Sequence, residues 1–339
     1  MEYEVTPQDL NALAKPFYLK PLFQRLSLTS FSLLEKTALR LKFLAIKWSR
    51  LKCFCYNVEM LSPSLSAYTL KNACSFEGLG IHSGQHVTLH CRPSYDQDKG
   101  IFIRRSDQEG ATLRLCSEHY VQSHRASCFD NGKTRFQTPE HLLSACHALG
   151  LTHLCLEIDG EECPILDGSA LQFLKGLKAA GRERLPFEQK ILTLTQPLSL
   201  AEANARLLGL PYDGFRITFV LDYPNHFVGQ QIYDFSFNLS RYENEIAAAR
   251  TYGFEKEVKA LLQQNLALGG SLENALVIGE KDYLNPLRFP DELVRHKILD
   301  LIGDLWVAQR PLSMHLIAFK SGHDLNRRFL QVLCDHNDD

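Results

Sequence analysis

The chain has 339 residues, 45% of them hydrophobic and 22% charged, which excludes general disorder and leaves room for roughly two ordinary domains. With 37 basic residues against 39 acidic ones the net charge is -2, so there is no global basic field to hold nucleic acid, and a phosphate-bearing ligand needs a local site. Ten cysteines contain no CxxC pair, which argues against a zinc ribbon or disulfide scaffold and for buried thiols in a reducing compartment; no apolar run reaches the roughly 20 residues of a membrane-spanning helix.

Residues 1–66 read as an extension of unknown role. Leu34, Ala38, Leu41, Ala45 and Trp48 fall on one helical face among Lys36, Arg40, Lys42, Lys47, Arg50 and Lys52, a basic amphipathic helix. Such a helix can lie on an anionic membrane, act as a targeting segment or simply cover apolar surface. Glu2, Glu4 and Asp9 argue against a transit peptide, and Met60 offers an alternative start.

From residue 67 the pattern turns to strands. Tyr68–Leu70 leads into the Gly78, Gly80 and Gly84 cluster, a turn, and Val87–Cys91 alternates like a half-buried strand. Thr138–Leu149 reads as a helix with Thr138 as N-cap and Pro139 at its first position, and His153–Ile158 as a short apolar strand. The charged run Gly181–Gln189 reads as an interdomain linker. Beyond it, Ile191–Leu194 and Ala205–Leu210 are predicted strands, Pro211–Gly214 a hairpin turn and Phe215–Leu221 the return strand. Helices are expected over Glu243–Ala249, Phe254–Gln264, Asp291–Val307 and Gly322–Leu333, and a strand over Asn274–Gly279. Strands and helices mix without regular βαβ alternation, which makes the fold class α+β, with a first domain at 67–185 and a second at 190–335.

Three places carry chemistry. His296 and Asp300 stand four apart and point from one helical face, the spacing at which two side chains reach one metal ion, and Asp304 continues the stripe among Ile298, Leu299, Leu301, Ile302 and Leu305. Three polar groups in a row on an apolar helix need partners, because burying them unpaired costs on the order of several kcal/mol each. Glu140-His141 opens a second helix and offers a third ligand with a neighbouring carboxylate; a hydrolytic zinc site needs both, three protein ligands and a base for the attacking water. His323 follows Gly322 at a predicted helix start and is placed to face such a site. Taken singly, each is equally an exposed helix pair, a capped helix start or a solvated loop histidine.

Together with Phe76–Gly84, Thr138–Ala145, Pro164–Ser169, Ala249–Gly253, Gly269–Ser271, Val294–Leu305 and Ser321–His323, these residues resemble the UDP-3-O-acyl-N-acetylglucosamine deacetylase family, the zinc enzymes of lipid A synthesis. The resemblance spans roughly residues 67–335. It implies His141, His296 and Asp300 as zinc ligands, Glu140 as base, Thr251 as a hydroxyl stabilising the oxyanion, and His323, oriented by Asp304, as the cationic group that stabilises charge and protonates the leaving amine. It further implies Lys297 near the nucleotide diphosphate, Tyr252 and Gly270 as substrate-binding positions, and an acyl-chain passage at about 253–279 lined by Phe254, Val258, Leu261, Leu262 and Leu266. The implied fold is two similar α+β domains, each a β-sheet with helices, packed helix face to helix face with the metal between them. Tyr252 departs from the family's Phe, and Pro139 from its usual β-branched residue.

The expected substrate is therefore a UDP-linked acylated amino sugar, with one Zn2+ per chain (Fe2+ suits the same ligands), no nucleic-acid partner, no stable membrane insertion, a monomer, and a cytoplasmic location. Two other readings remain: a non-catalytic protein that binds a lipid or nucleotide sugar, and a related metal amidohydrolase with another acylated substrate.

Overall fold

The structure is a computed structural model that describes residues 64–123 and 125–338. The amphipathic segment read from the sequence before Met60 lies outside the described residues, which belong to one compact unit. It holds two main sheets, one from each half of this sequence, with helices between strands, so the fold is α+β.

The first sheet has the strand order Cys74–Leu79, His86–Pro93, Leu154–Ile158, Ile101–Arg105, Ala111–Arg114. The strand period of two is visible in His86–Pro93, where Val87, Leu89 and Cys91 enter the core. Helix α1 (Glu140–Leu149) is buried along its whole length. Its neighbour α2 (Leu171–Ala180) lies against the edge strand, with Phe173 edge-on to Phe76 at 4.9 Å and Gly176 leaving room for the Phe76 ring. A small three-stranded sheet, Tyr120–Val121, Cys128–Asp130 and Arg135–Gln137, brings Tyr120 and Ser127 towards α1.

The second sheet runs Leu198–Glu202, Ala205–Leu210, Leu312–Phe319, Phe215–Tyr223, Gly229–Ser236, with Leu192–Thr193 parallel to Leu312–Ser313. Between its strands come Tyr252–Phe254, helix α3 (Glu255–Gln263), Leu276–Ile278, helix α4 (Glu292–Leu305) and, at the end, helix α5 (His323–Asp338).

Four sequence expectations are corrected. The charged run at 181–189 is no linker: Arg182–Lys190 is a strand paired antiparallel with Ser64–Leu70, its charges standing on exposed positions around buried Leu185. Ala205–Leu210 and Phe215–Tyr223 do not form a hairpin, because Leu312–Phe319 inserts between them, antiparallel to the first and parallel to the second. Glu243–Ala249 is not a regular α-helix; Tyr242–Ile246 winds as one wide π-type turn. Thr138 does not cap α1: it sits at φ 60° and donates its hydroxyl to Glu162, 3.3 Å away, while Pro139 precedes the helix without a side-chain cap.

The two halves meet where α1 crosses α4. Gly303 faces the backbone of Glu140, and a Cβ placed on it would stand 2.0 Å from the Glu140 carbonyl oxygen. Only glycine permits that approach, which sets the first turn of α1 beside the last turn of α4.

Candidate active site

The crossing assembles the residues that the sequence singled out. His141, on the first turn of α1, and His296 and Asp300, one turn apart on α4, place three ligand atoms within 4.8 Å of one another. Asp300 Oδ1 lies 3.2 Å from His296 Nε2 and 3.7 Å from His141 Nε2. All three side chains are buried. Burial, with His296 next to it, pushes His141 down to about 3, so its imidazole is neutral and keeps a lone pair for a cation. The His296 Nδ1 lies 3.1 Å from the Ala249 carbonyl; donating there fixes the tautomer that turns Nε2 to the site. Burial opposes the charge on Asp300, yet His296, Lys297, His323 and His141 outweigh it and hold the carboxyl far below the usual range.

Asp300 Oδ1 is buried and accepts no hydrogen bond. An ionised oxygen without a donor, facing two neutral imidazoles, is costly unless a cation completes it. The donor set and this unpartnered oxygen fit a divalent metal of the zinc or iron(II) type.

Glu140 and His323 flank the triad. Glu140 is 3% exposed and takes the Ser127 N–H at 3.2 Å. Burial raises its carboxyl to about 8, against the pull of His323. His323 opens α5, its Nε2 4.0 Å from Glu140 Oε1 and its Nδ1 2.9 Å from Asp304 Oδ2. Burial disfavours a charged ring there, but Asp304, with Asp300 and Glu140 behind it, outweighs burial and raises His323 to about 9. The ring is an imidazolium at neutral pH.

Asp304 is fully buried behind His323 and accepts from three more donors: Ser127 Oγ at 2.5 Å, Tyr120 Oη at 3.0 Å and Asn326 Nδ2 at 2.8 Å. Nothing in the sequence pattern points to Tyr120, Ser127 or Asn326. Arg250 and Glu292 were likewise missed. Glu292 accepts from the Arg250 Nε at 2.9 Å, the Arg250 N–H at 3.0 Å and the Arg288 N–H at 2.6 Å, which ties the Ala249–Thr251 segment to the first turn of α4. The local signal for that pair was an acid in a first helical turn, which also has a plain macrodipole reading.

The triad, Glu140 and His323 form one wall of a cavity of about 530 Å³, which Thr251, Tyr252, Gly270 and Lys297 also line. Lys297 Nζ is 2.8 Å from Asp300 Oδ2. An apolar arm runs under α3, lined by Phe254, Val258, Leu261 and Leu262. Leu266 is not part of the lining: its N–H turns back to the Leu261 carbonyl at 2.9 Å after the end of α3, and Ala267 and Leu272 complete the arm instead. His82 and Arg125, unassigned from sequence, stand in the same wall.

A neutral two-histidine, one-carboxylate centre beside a buried carboxyl and a histidinium defines a metal-dependent hydrolase. A family model for UDP-3-O-acyl N-acetylglycosamine deacetylase (LpxC) matches residues 67–335, and the chain belongs to that family. It is 40% identical over 260 residues to the UDP-3-O-acyl-N-acetylglucosamine deacetylase of Leptospira biflexa, covering 76% of this chain and 86% of that protein. The deacetylase of the same name from Myxococcus xanthus is 36% identical over 274 residues (80% of this chain, 87% of that protein), and that of Geotalea uraniireducens 37% over 273 residues (80% and 89%).

Proposed function

We propose that the chain hydrolyses the N-acetyl group of a UDP-3-O-acyl-N-acetylglucosamine, giving acetate and the free amine, at the committed step of lipid A synthesis. The observation that carries this reading is the buried, unpartnered Asp300 Oδ1 between His141 and His296, with Glu140 and His323 on either side.

His141, His296 and Asp300 hold the metal, and zinc bound there supplies a Lewis acid that eases deprotonation of water and polarises the amide carbonyl. Glu140 takes the proton of the attacking water at Oε1 or Oε2, as the buried carboxylate next to the ligand His141. Thr251 donates its hydroxyl to the developing oxyanion. His323, held charged by Asp304, stabilises that negative charge and delivers the proton to the leaving nitrogen. Lys297 faces the diphosphate as an ammonium; burial opposes its charge, and Asp300 more than restores it. Tyr252 and Gly270, which line the same cavity, contact the substrate, and the arm under α3 takes the acyl chain.

The domains read from sequence, 67–185 and 190–335 with the passage at about 253–279, belong to this reading, as do a small-molecule partner, a monomeric enzyme and a cytoplasmic location. Among the described residues no helix is long and apolar enough to cross a membrane.

Acetate release from UDP-3-O-acyl-N-acetylglucosamine by the zinc-loaded protein tests the activity, with Glu140→Ala alongside. The expected result is turnover in the wild type and a loss of about 10²–10⁴-fold in the variant with zinc still bound. Full turnover in Glu140→Ala would sink the assigned base.

A further inference from the structure

Tyr223 ends its strand and Tyr252 begins another, and their hydroxyl oxygens meet at 3.1 Å on the cavity wall. Phenylalanine would fill the same two ring positions. Tyr223 packs edge-on against Phe254 at 5.1 Å and Tyr252 stands edge-on to His296 at 6.0 Å, contacts that need no hydroxyl. The hydroxyls therefore call for a polar reason, because a buried phenol keeps its O–H only where it finds a partner. Each finds the other. Two hydroxyls that share one hydrogen bond use one hydrogen between them, so one O–H hydrogen remains uncommitted among the described residues.

The pair shares the cavity with an ammonium group. Lys297 Nζ lies 5.5 Å from the centre of the Tyr252 ring and gives one hydrogen to Asp300 Oδ2 at 2.8 Å, leaving two. Tyr223, Tyr252 and Lys297 all line the same cavity. This corner of the cavity thus presents three unused donor hydrogens and one full positive charge. Such a corner suits an anionic oxygen with several lone pairs. Phosphate oxygens offer more lone pairs to these hydrogens than a single sugar hydroxyl does.

We propose that the Tyr223–Tyr252 hydroxyl pair donates to a phosphate oxygen of the substrate's diphosphate beside Lys297, which makes Tyr223 a further substrate-binding residue. The inference rests on the reading of a nucleotide-linked substrate given above. The two phenols act as a unit: one accepts from its partner and donates to the phosphate, and the hydrogen bond between them polarises the donor. Losing one leaves the other free to rotate towards the ligand, so the double variant carries the full effect.

The test compares the zinc-loaded wild type with Tyr223→Phe, Tyr252→Phe and the double variant. Calorimetry measures binding of UDP, inorganic pyrophosphate and uridine, and acetate release gives KM and kcat. The expected result is roughly a tenfold weaker affinity for UDP and for pyrophosphate in the double variant, a smaller change in each single one, and unchanged uridine binding. The loss then appears in KM more than in kcat. The proposal is overturned if uridine weakens as much as UDP, if UDP affinity is the same in all four proteins, if the wild type binds no UDP, or if the loss falls on kcat alone. Should the wild type bind UDP but release no acetate, the deacetylase reading fails separately, and the phosphate contact is still decided by the binding data.

Discussion

Gly303 on α4 lies directly against the backbone of Glu140 on α1, and a Cβ on Gly303 would stand 2.0 Å from the Glu140 carbonyl oxygen and 3.0 Å from its Cα. The neighbour is backbone in a fully buried helix and cannot swing aside. Since the same crossing brings His141 to His296 and Asp300, the spacing of the ligand set depends on this one missing side chain.

Gly303→Ala is accordingly expected to push the two helices apart. Overpacking of this kind costs on the order of 3 kcal/mol. Thermal unfolding should show the loss, and zinc affinity measured with a competing chelator should fall with it. A variant with wild-type stability and zinc affinity would show that the crossing is not rigid.

The His323–Asp304 pair yields a pH prediction. His323 is raised to about 9, so its charged form persists through neutral pH and is lost as pH rises through that value. Asp304→Asn removes the charge that opposes burial while keeping an acceptor oxygen for Ser127 and Tyr120. The alkaline limb of kcat should then move to lower pH, and turnover at pH 8 should drop by about 10²-fold. A limb that does not move would assign it to another group.

How much of this was legible in the sequence differs by residue. His296 and Asp300 could be paired on paper because the geometry of one helix is local, and Glu140-His141 could be placed on a first turn for the same reason. Their meeting depends on Gly303, which carries no sign of its own in the string. The cage around Asp304 joins residues far apart in sequence, Ser127 and Tyr120 from the small sheet and Asn326 from α5, and no periodicity reports such contacts. Sheet order was unreadable in the same way: Ala205–Leu210 and Phe215–Tyr223 carry a good hairpin signal, and only the late strand Leu312–Phe319 separates them. At Arg182–Lys190 composition misled, since an exposed strand paired on one side holds as many charges as a linker does.

Arg250 and Glu292 supply a stability prediction. Glu292 is fully buried; burial raises its carboxyl, but the Arg250 side chain and the Arg288 and Arg250 amides outweigh that and leave it below the ordinary value of 4.5. A depressed carboxyl stabilises the fold above its unfolded value and loses that contribution as pH falls through the folded one. Glu292→Gln should cost about 3–5 kcal/mol at pH 7, because it leaves the Arg250 charge buried without its partner. The penalty should shrink as pH falls below the ordinary carboxyl value, because the wild type then loses the contribution of its charged Glu292. Chemical denaturation at pH 7 and pH 3.5 checks both; equal penalties at the two pH values would refute the linkage.

Removing the metal tests the centre by a route independent of turnover. The folded core does not depend on the triad: α1 is buried along its length, and α4 buries Leu293, Val294, Ile298, Leu299, Leu301, Ile302 and Leu305. The chelated protein should therefore keep its far-ultraviolet dichroism. Adding zinc should raise the melting temperature, because a ligand bound only by the native state stabilises it by RT ln(1 + [L]/Kd), about 2.7 kcal/mol at a hundredfold excess over Kd. Asp300→Ala deletes the oxygen that has no donor of its own. In that variant the zinc-dependent shift should vanish, and the metal-free melting temperature should fall as well, since the partners that hold the Asp300 carboxyl charged lose it, the Lys297 ammonium at 2.8 Å among them. A zinc-dependent shift of wild-type size in Asp300→Ala would place the metal elsewhere.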